Sequence, residues 1–251
     1  MTLAGTRVLL TGGGSGLGRH MAQRLAEDGA ELAVIDRDAE ACAALRAALG
    51  DSVQTFVADL SEAAQVDAVV QQVQASGFAP GVLVNNAGVI HSEPLVNLLA
   101  RGADRVHSRE QWRRVMAIDL DSVFYLTGRI VDGWLATRTK GVVVSVSSIA
   151  ARGNAGQSAY AAAKAGVEAL TRSWAKELGP MGLRFVALAP GFIDTASTRA
   201  ALSPAALQRL QQAVPLRRLG TPEAVYLALR QAIENDYMTG TVLEIDGGLV
   251  L

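Results

Sequence analysis

Short apolar runs alternate with longer amphipathic segments from one end of this chain to the other. The runs are rich in β-branched residues and predict strands at residues 7–10, 32–36, 53–57, 82–85, 142–147, 185–189 and 242–245. The segments between them predict helices at residues 16–29, 39–49, 61–76, 110–137, 159–178, 204–213 and 222–234. Several runs are apolar without strict alternation, as expected for strands that are covered on both faces.

Regular alternation of strands and helices predicts an α/β fold with a parallel sheet. We expect one domain over residues 1–251, a Rossmann-type doubly wound parallel sheet of about seven strands with helices on both faces. Two irregular segments follow strands at the carboxyl edge of this sheet, where such folds bind ligands. We interpret residues 91–108 as a substrate-loop insertion and residues 191–213 as a substrate lid.

Composition narrows the functional classes. The chain has 251 residues and a formal net charge of −1, so it lacks the basic surplus of a nucleic-acid-binding protein. No signal peptide is visible, and no apolar stretch approaches the roughly 20 residues that span a bilayer. The single cysteine, Cys42, is either a small buried hydrophobe or a reactive thiol, and its isolation fits a reducing compartment. We expect a cytoplasmic protein with no nucleic-acid or membrane partner.

Histidines and arginines give weaker signals. His20 and His91 have no carboxylate or cysteine at metal-ligand spacing, so we predict no metal site. The insertion contains Arg101, Arg105 and His107, interrupted by acidic residues. These charges form either a solvated face or a basic rim that receives an acidic substrate or carrier.

A glycine-rich turn, TGGGSGLG at residues 11–18, joins the first strand to the first helix. Such a turn lets backbone amides approach a pyrophosphate at the helix N-terminus. The second strand ends in Asp36, which is placed to accept hydrogen bonds from an adenosine ribose. A carboxylate there repels the extra phosphate of NADP, so we favour NAD as the cofactor. The neighbouring Arg37 can pair with that phosphate and leaves NADP open.

Tyr160 and Lys164 lie at i and i+4 of a predicted helix, and therefore on one face of it. A cation beside a phenol favours the phenolate, so the pair can give a proton to a carbonyl as hydride arrives, or remove one from an alcohol. The YxxxK pattern alone is common, and the alternative is a surface pair without function.

Six ordered motifs make the chain resemble the short-chain dehydrogenase/reductase family over essentially its whole length. They are the glycine-rich turn, NNAG at 85–88, SVSS at 145–148, YAAAK at 160–164, PGFIDT at 190–195 and DGG at 246–248. The chain looks most like the 3-oxoacyl-[acyl-carrier-protein] reductases of that family. The resemblance implies an NAD(P)-dependent oxidoreductase that transfers a hydride between the cofactor and a secondary alcohol/ketone pair.

The resemblance also implies roles for individual residues. Tyr160 is the expected general acid/base, and Lys164 is expected to hold the nicotinamide ribose. A serine after strand five is expected to bind the substrate oxygen; the count along the strand favours Ser148, whereas the count back from Tyr160 gives Ser147. The expected cofactor-binding residues are Thr11, Gly12, Ser15, Gly16, Leu17, Gly18, Asp36, Arg37, Asp59, Leu60, Asn85, Ala87, Gly88, Tyr160, Lys164, Pro190, Gly191, Ile193 and Thr195.

Asp119 departs from the family pattern, which has asparagine at this point of the fifth helix. That asparagine interrupts the helix and holds a water behind the lysine, whereas an ionised aspartate can only accept hydrogen bonds. Asp119 is therefore protonated, bonds through water, or holds the Lys164 ammonium directly. The alternative is a neutral change that leaves the helix intact and weakens proton relay.

Three functional hypotheses stay open. The first is reversible hydride transfer on a secondary alcohol/ketone pair, in particular as a 3-oxoacyl thioester reductase. The second is an NAD-dependent dehydrogenase of a sugar, polyol, steroid or aromatic alcohol. The third is a dinucleotide-binding regulatory protein with impaired catalysis, which only Asp119 favours. Small residues along the helix of Tyr160, together with the resemblance, predict a homodimer or homotetramer.

Overall fold

The strands of the protein form a parallel sheet that is wound in two directions. They are β1 Arg7–Thr11, β2 Glu31–Asp36, β3 Val53–Val57, β4 Val82–Asn85, β5 Val142–Val146, β6 Arg184–Pro190 and β7 Thr241–Ile245. The computed structural model describes residues 1–99, 105–201 and 203–250, and within these ranges the strand order is β3-β2-β1-β4-β5-β6-β7. All neighbouring strands pair in parallel, which confirms the predicted doubly wound sheet.

Helices cover both faces of the sheet. They are α1 Gly16–Glu27, α2 Ala39–Leu49, α3 Ala63–Ala75, α4 Arg109–Met116, α5 Ser122–Thr137, α6 Ser158–Leu178, α7 Ala196–Ala201, α8 Pro204–Ala213 and α9 Pro222–Glu234. Val8 and Leu10 pack with α1 and α9 on one face, while Leu9 packs with α3 and α5 on the other. Successive residues of a strand are therefore both buried, which explains the continuous apolar runs. Within the described ranges, no helix combines the length and hydrophobicity that crossing a bilayer requires.

The helix predicted at residues 110–137 is interrupted. A π-helical turn, Ala117–Asp121, separates α4 from α5, and the buried Asp119 lies in this turn. Such turns are rare and occur frequently at functional sites. The apolar periodicity continues through the turn, so the sequence pattern alone does not reveal the break.

Residues 91–108 are here called the arm, and its described parts, 91–99 and 105–108, are not an open loop. Backbone hydrogen bonds pair the two sides of the arm, and Val96 and Val106 form an antiparallel bridge. Arg101, which we interpreted as part of a basic rim, lies outside the described residues, as do residues 100 and 102–104. The arm leaves the carboxyl end of β4, which places it beside the ligand-binding edge of the sheet.

The predicted lid, residues 191–213, contains α7 and α8. Ile149, Val214 and Leu249 form a small buried cluster there, against which Phe192 and Leu210 pack. The lid is thereby anchored to the turn after β5 and to the chain that follows β7. Residue 202 of the lid lies outside the described residues.

Candidate active site

A cavity of about 460 Å³ opens at the carboxyl edge of the sheet. It spans the point between β1 and β4 where the strand order reverses, which is where doubly wound sheets bind ligands. Asp36 and the glycine-rich turn line one end of the cavity, and Ser148 and Tyr160 line the other. A single cavity therefore joins the predicted cofactor and catalytic ends.

The glycine-rich turn is shaped for close backbone approach. Gly12 has φ +67°, and a Cβ atom on it would lie 2.8 Å from Ala87 Cα. A Cβ on Gly18 would overlap the carbonyl oxygen of Gly12. Ser15 is the N-cap of α1, and its side chain makes no cap hydrogen bond to the N–H groups of the first helical turn. These features fit the pyrophosphate of a nicotinamide dinucleotide at this helix N-terminus.

Asp36 is held in place as a hydrogen-bond acceptor. Its Oδ2 accepts from the Gly14 N–H at 2.8 Å, and its Oδ1 accepts from the Asp38 N–H at 3.1 Å. A Cβ on Gly14 would lie 2.9 Å from Oδ2, so only glycine leaves room for this contact. The exposed Arg37 also lines the cavity.

Asn85 does not reach the cavity, contrary to the expected cofactor contact. It is buried at the end of β4, where its amide donates to Thr127 Oγ1 at 3.0 Å and to Ser145 Oγ at 3.2 Å. The side chain therefore ties β4 to β5 and α5. Successive side chains along a strand point in opposite directions, so the next residue, Asn86, points the other way from Asn85.

Asn86 is a residue of the cavity wall that the sequence analysis missed. Its amide donates to the carbonyl oxygens of Thr11 and Gly12, both at 3.0 Å. The Thr11 hydroxyl in turn accepts from the N–H groups of Asn86 and Ala87 at 3.0 Å each. Thr11, which we expected at the cofactor, braces the turn from behind and is not part of the cavity wall.

Apart from Lys164, which is described below, the other expected cofactor residues do line the cavity. Asp59 accepts from the hydroxyl and N–H of Ser61 at 2.7 and 2.9 Å, and the hydroxyl bond holds the pKa of Asp59 below its usual range. The remaining members are Gly12, Ser15, Gly16, Leu17, Gly18, Leu60, Ala87, Gly88, Pro190, Gly191, Ile193 and Thr195. Wall residues that were not predicted include Ile118, Asn154, Gln157, Phe192 and Thr198.

The two candidate serines have different surroundings. Ser147 is buried, and its hydroxyl donates towards the Lys164 carbonyl at 3.3 Å and Glu168 Oε1 at 3.1 Å. The Ser148 hydroxyl accepts from the Ala150 N–H at 3.2 Å, which leaves its own hydrogen for another acceptor. Both residues touch the cavity, but the Ser147 hydroxyl is engaged by α6. We therefore keep Ser148 as the proposed substrate-binding serine.

Asp119 contacts Lys164 directly. The ammonium nitrogen Nζ lies 3.1 Å from Asp119 Oδ1 and donates to the Val146 carbonyl at 3.0 Å. The Val89 N–H donates to both Asp119 oxygens at 3.2 Å. The same Nζ lies 5.6 Å from the centroid of the Tyr160 ring. Lys164 is not part of the cavity wall, and its ammonium lies between Asp119 and the Val146 carbonyl.

Burial sets the electrostatics of this pair, since the Lys164 and Asp119 side chains are 5% and 0% exposed. Burial raises the pKa of Asp119, against the opposing effect of the Lys164 charge. Burial also disfavours the charge on Lys164, but the Asp119 carboxylate and the Tyr160 phenol together raise the pKa of Lys164 above its usual range. The lysine is therefore an ammonium at neutral pH.

Three other residues singled out in the sequence, Cys42, His20 and Arg105, do not line the cavity. Cys42 is buried in α2, and burial raises the pKa of its thiol, as expected for a small hydrophobe. His20 pairs with Glu223 at 2.9 Å between α1 and α9. Arg105 of the arm is exposed to solvent.

Comparison with known proteins decides the family. A family model described as enoyl-(acyl carrier protein) reductase matches residues 12–250. The chain is 35% identical to the (3R)-3-hydroxyacyl-CoA dehydrogenase of Canis lupus familiaris, covering 100% of this chain and 98% of that protein. It is also 35% identical to the 3-oxoacyl-[acyl-carrier-protein] reductase FabG of Thermotoga maritima, covering 100% of both. The chain belongs to the short-chain dehydrogenase/reductase family.

Solved structures of this family match the whole fold. A 3-ketoacyl-(acyl-carrier-protein) reductase from Brucella melitensis, complexed with NADH, has a TM-score of 0.85 at 29% identity and covers 98% of this chain and 99% of that chain. A putative gluconate dehydrogenase from Agrobacterium tumefaciens has a TM-score of 0.89 at 25% identity, over 98% and 96%. The predicted family, fold and reaction class are thus confirmed: this short-chain dehydrogenase/reductase is an oxidoreductase that uses a nicotinamide dinucleotide.

Proposed function

We propose that this short-chain dehydrogenase/reductase interconverts a 3-oxoacyl thioester and the corresponding 3-hydroxyacyl thioester with NAD(H). The observation that carries the proposal is the single cavity with the Asp36 carboxylate at one end and the hydroxyls of Ser148 and Tyr160 at the other. The names of the canine and Thermotoga relatives support the acyl thioester class. The NADH complex of the Brucella reductase supports the cofactor.

The side chains at the catalytic end supply proton transfer and orientation. A bound nicotinamide provides or accepts the hydride. Ser148 donates a hydrogen bond to the substrate oxygen, and Tyr160 gives its phenol proton to that oxygen during reduction. The Lys164 ammonium, 5.6 Å from the ring centroid, favours the phenolate that remains. Asp119 and the Val146 carbonyl hold the ammonium in place, and in the oxidation direction the proton returns to the Tyr160 oxygen.

The adenosine end favours NAD over NADP. Two backbone amides, of Gly14 and Asp38, fix the Asp36 carboxylate at the cavity wall as an acceptor for ribose hydroxyls. A ribose phosphate would meet this negative charge at close range. The neighbouring Arg37 carries a positive charge that can offset this repulsion. The preference for NAD over NADP therefore depends on the balance between the Asp36 carboxylate and the Arg37 guanidinium.

The test is oxidation of NADH and NADPH, followed in parallel, with acetoacetyl-coenzyme A as the substrate. We expect turnover with NADH that exceeds turnover with NADPH, and loss of turnover in Tyr160→Phe with NADH binding retained. Turnover of gluconate or polyols with NAD, without turnover of the thioester, would instead identify the protein as a sugar-acid or polyol dehydrogenase. NADH binding without turnover on any carbonyl or alcohol of the panel would contradict an active enzyme.

We also infer that the chain assembles through α5 and α6. Phe124 and Tyr125 of α5 are 51% and 42% exposed, and the outer side of α6 presents the small residues Ala162 and Ala169. Exposed aromatic rings beside small side chains suit close packing against a second copy, as a homodimer or homotetramer. Sedimentation of the purified chain tests this, and a stable monomer at micromolar concentration would contradict it.

We place the protein in the cytoplasm, because its one cysteine is buried and unpaired.

A further inference from the structure

The base of the arm brings together three side chains that can bind a metal. Glu93 Oε2 lies 3.0 Å from His91 Nε2 and 2.7 Å from His107 Nδ1. One ligand atom from each of the three residues lies within 4.8 Å of the others. We propose that His91, Glu93 and His107 bind a divalent transition-metal ion of the zinc class. The sequence analysis predicted no metal site, because it did not show that His107 lies beside His91 and Glu93. Our proposal differs from that prediction.

The donor set and its spacing suit zinc. Two imidazole nitrogens and one carboxylate oxygen are ligands that zinc and its neighbours in the first transition series prefer. Ligands of a tetrahedral zinc ion at its usual bond lengths lie roughly 3.3 Å apart. The distances from Glu93 Oε2 are a few tenths of an ångström shorter, so a small movement of the carboxylate admits the ion. The two imidazole rings lie 5.8 Å apart between centroids and 27° from parallel.

Orientation also favours a metal ligand set. Glu93 Oε1 accepts from the Ser108 N–H at 3.1 Å, which directs Oε2 between the two histidines. His107 has a side chain only 7% exposed, and its ring is packed with Nδ1 directed at Glu93 Oε2. His91 Nε2 faces the same carboxylate oxygen, so the three donor atoms converge on one point at the base of the arm.

The position of the site suggests what the ion does. The His91 and Glu93 side chains are 27% and 29% exposed, so water can reach a fourth coordination position. Glu93 lies on one side of the arm and His107 on the other, and the Glu93 N–H donates to the Gly156 carbonyl at 2.7 Å. The neighbouring Gln157 lines the cavity. A bound ion therefore ties both sides of the arm together beside the substrate end of the cavity.

Equilibrium dialysis of the full chain against Zn²⁺ tests this proposal. The protein is used without an affinity tag, is first stripped with chelator, and its metal content is measured after dialysis. We expect one zinc per chain, and a visible absorption band of tetrahedral Co²⁺ when cobalt replaces zinc. Glu93→Gln and His91→Gln should weaken zinc binding by on the order of 100-fold. Glu223→Gln is the matched control, because His20 and Glu223 form a similar pair at 2.9 Å without a second histidine.

A second readout requires no variant. Trypsin cleavage at Arg105, which is exposed on the arm, should slow several-fold in the wild-type protein when zinc is added to the stripped chain. Unchanged NADH binding confirms that the stripped chain and the variants are folded. Wild-type protein that retains no zinc would overturn the proposal, as would equal zinc in wild type, Glu93→Gln and His91→Gln. Cleavage at Arg105 that is indifferent to zinc would overturn the inferred tie across the arm.

Discussion

Asp36, at the adenosine end of the cavity, and Asp119, buried outside the cavity wall, both accept backbone hydrogen bonds but have different surroundings. Asp36 accepts from two backbone amides and is partly open to water. Asp119 accepts from the Val89 amide and pairs with Lys164, and its side chain is 0% exposed. Water helps to stabilise the charge of Asp36, whereas the charge of Asp119 depends on its protein partners. We therefore expect changes at Asp119 to affect the whole fold and changes at Asp36 to affect cofactor choice.

The largest effect is expected for Asp119→Ala. This change leaves the Lys164 ammonium buried beside a void, with the Val146 carbonyl as its remaining hydrogen-bond partner in the described part of the chain, and should lower the free energy of unfolding by about 3–5 kcal/mol. Urea unfolding followed by circular dichroism measures the loss. Asp36→Ala is the matched variant and should change the same free energy by less than about 1 kcal/mol. Equal losses at the two positions would contradict the difference between their surroundings.

Gly88→Ala should have an intermediate effect, since it disturbs the buried pair without removing a charge. A Cβ at this position would lie 2.5 Å from Asp119 Oδ1 and 3.3 Å from Lys164 Nζ. Displacing these atoms should cost about 1–3 kcal/mol of stability and lower kcat in the NADH assay. The control is Gly81→Ala, where an added Cβ meets no atom within 4 Å. If both variants keep wild-type stability and kcat, the close contact with Asp119 is of no consequence.

The smallest effect is expected at the adenosine end. Asp36→Ala removes a charged acceptor for the ribose hydroxyls and a repulsive charge for the NADP phosphate. The ratio of kcat/KM for NADH to that for NADPH should fall about tenfold or more, as expected for a hydrogen bond to a charged group. Steady-state assays with both cofactors measure the ratio. An unchanged ratio would show that Asp36 does not select the cofactor.

The same comparison explains how much of the molecule the sequence predicts. The partners of Asp36 lie in patterns that the sequence shows, because Gly14 belongs to the recognisable turn 22 residues earlier and Asp38 is two residues away. The strands and most helices are likewise predicted from local patterns, and Ser148 and Tyr160, which the family motifs identify, both line the cavity.

The partners of Asp119 come from two segments distant in sequence, Val89 after β4 and Lys164 of α6. Only the folded chain shows that the aspartate contacts Lys164 directly. Asn85 and Asn86 illustrate the same limit at a smaller scale. The NNAG motif identifies both residues, but the direction of each side chain at the strand end decides which one reaches the cavity.

The most direct test of the buried pair is the pH dependence of alcohol oxidation in wild type and Asp119→Asn. The Asp119 carboxylate raises the pKa of Lys164 against the effect of burial, so its replacement by a neutral amide should lower that pKa. Removal of the negative charge leaves the ammonium to act fully on the phenol, and the proton acceptor for oxidation then forms at lower pH. We predict that the variant stays active and that the rising limb of kcat/KM moves to lower pH by roughly one unit or more. An active variant with an unshifted limb would show that Asp119 carries no charge beside Lys164.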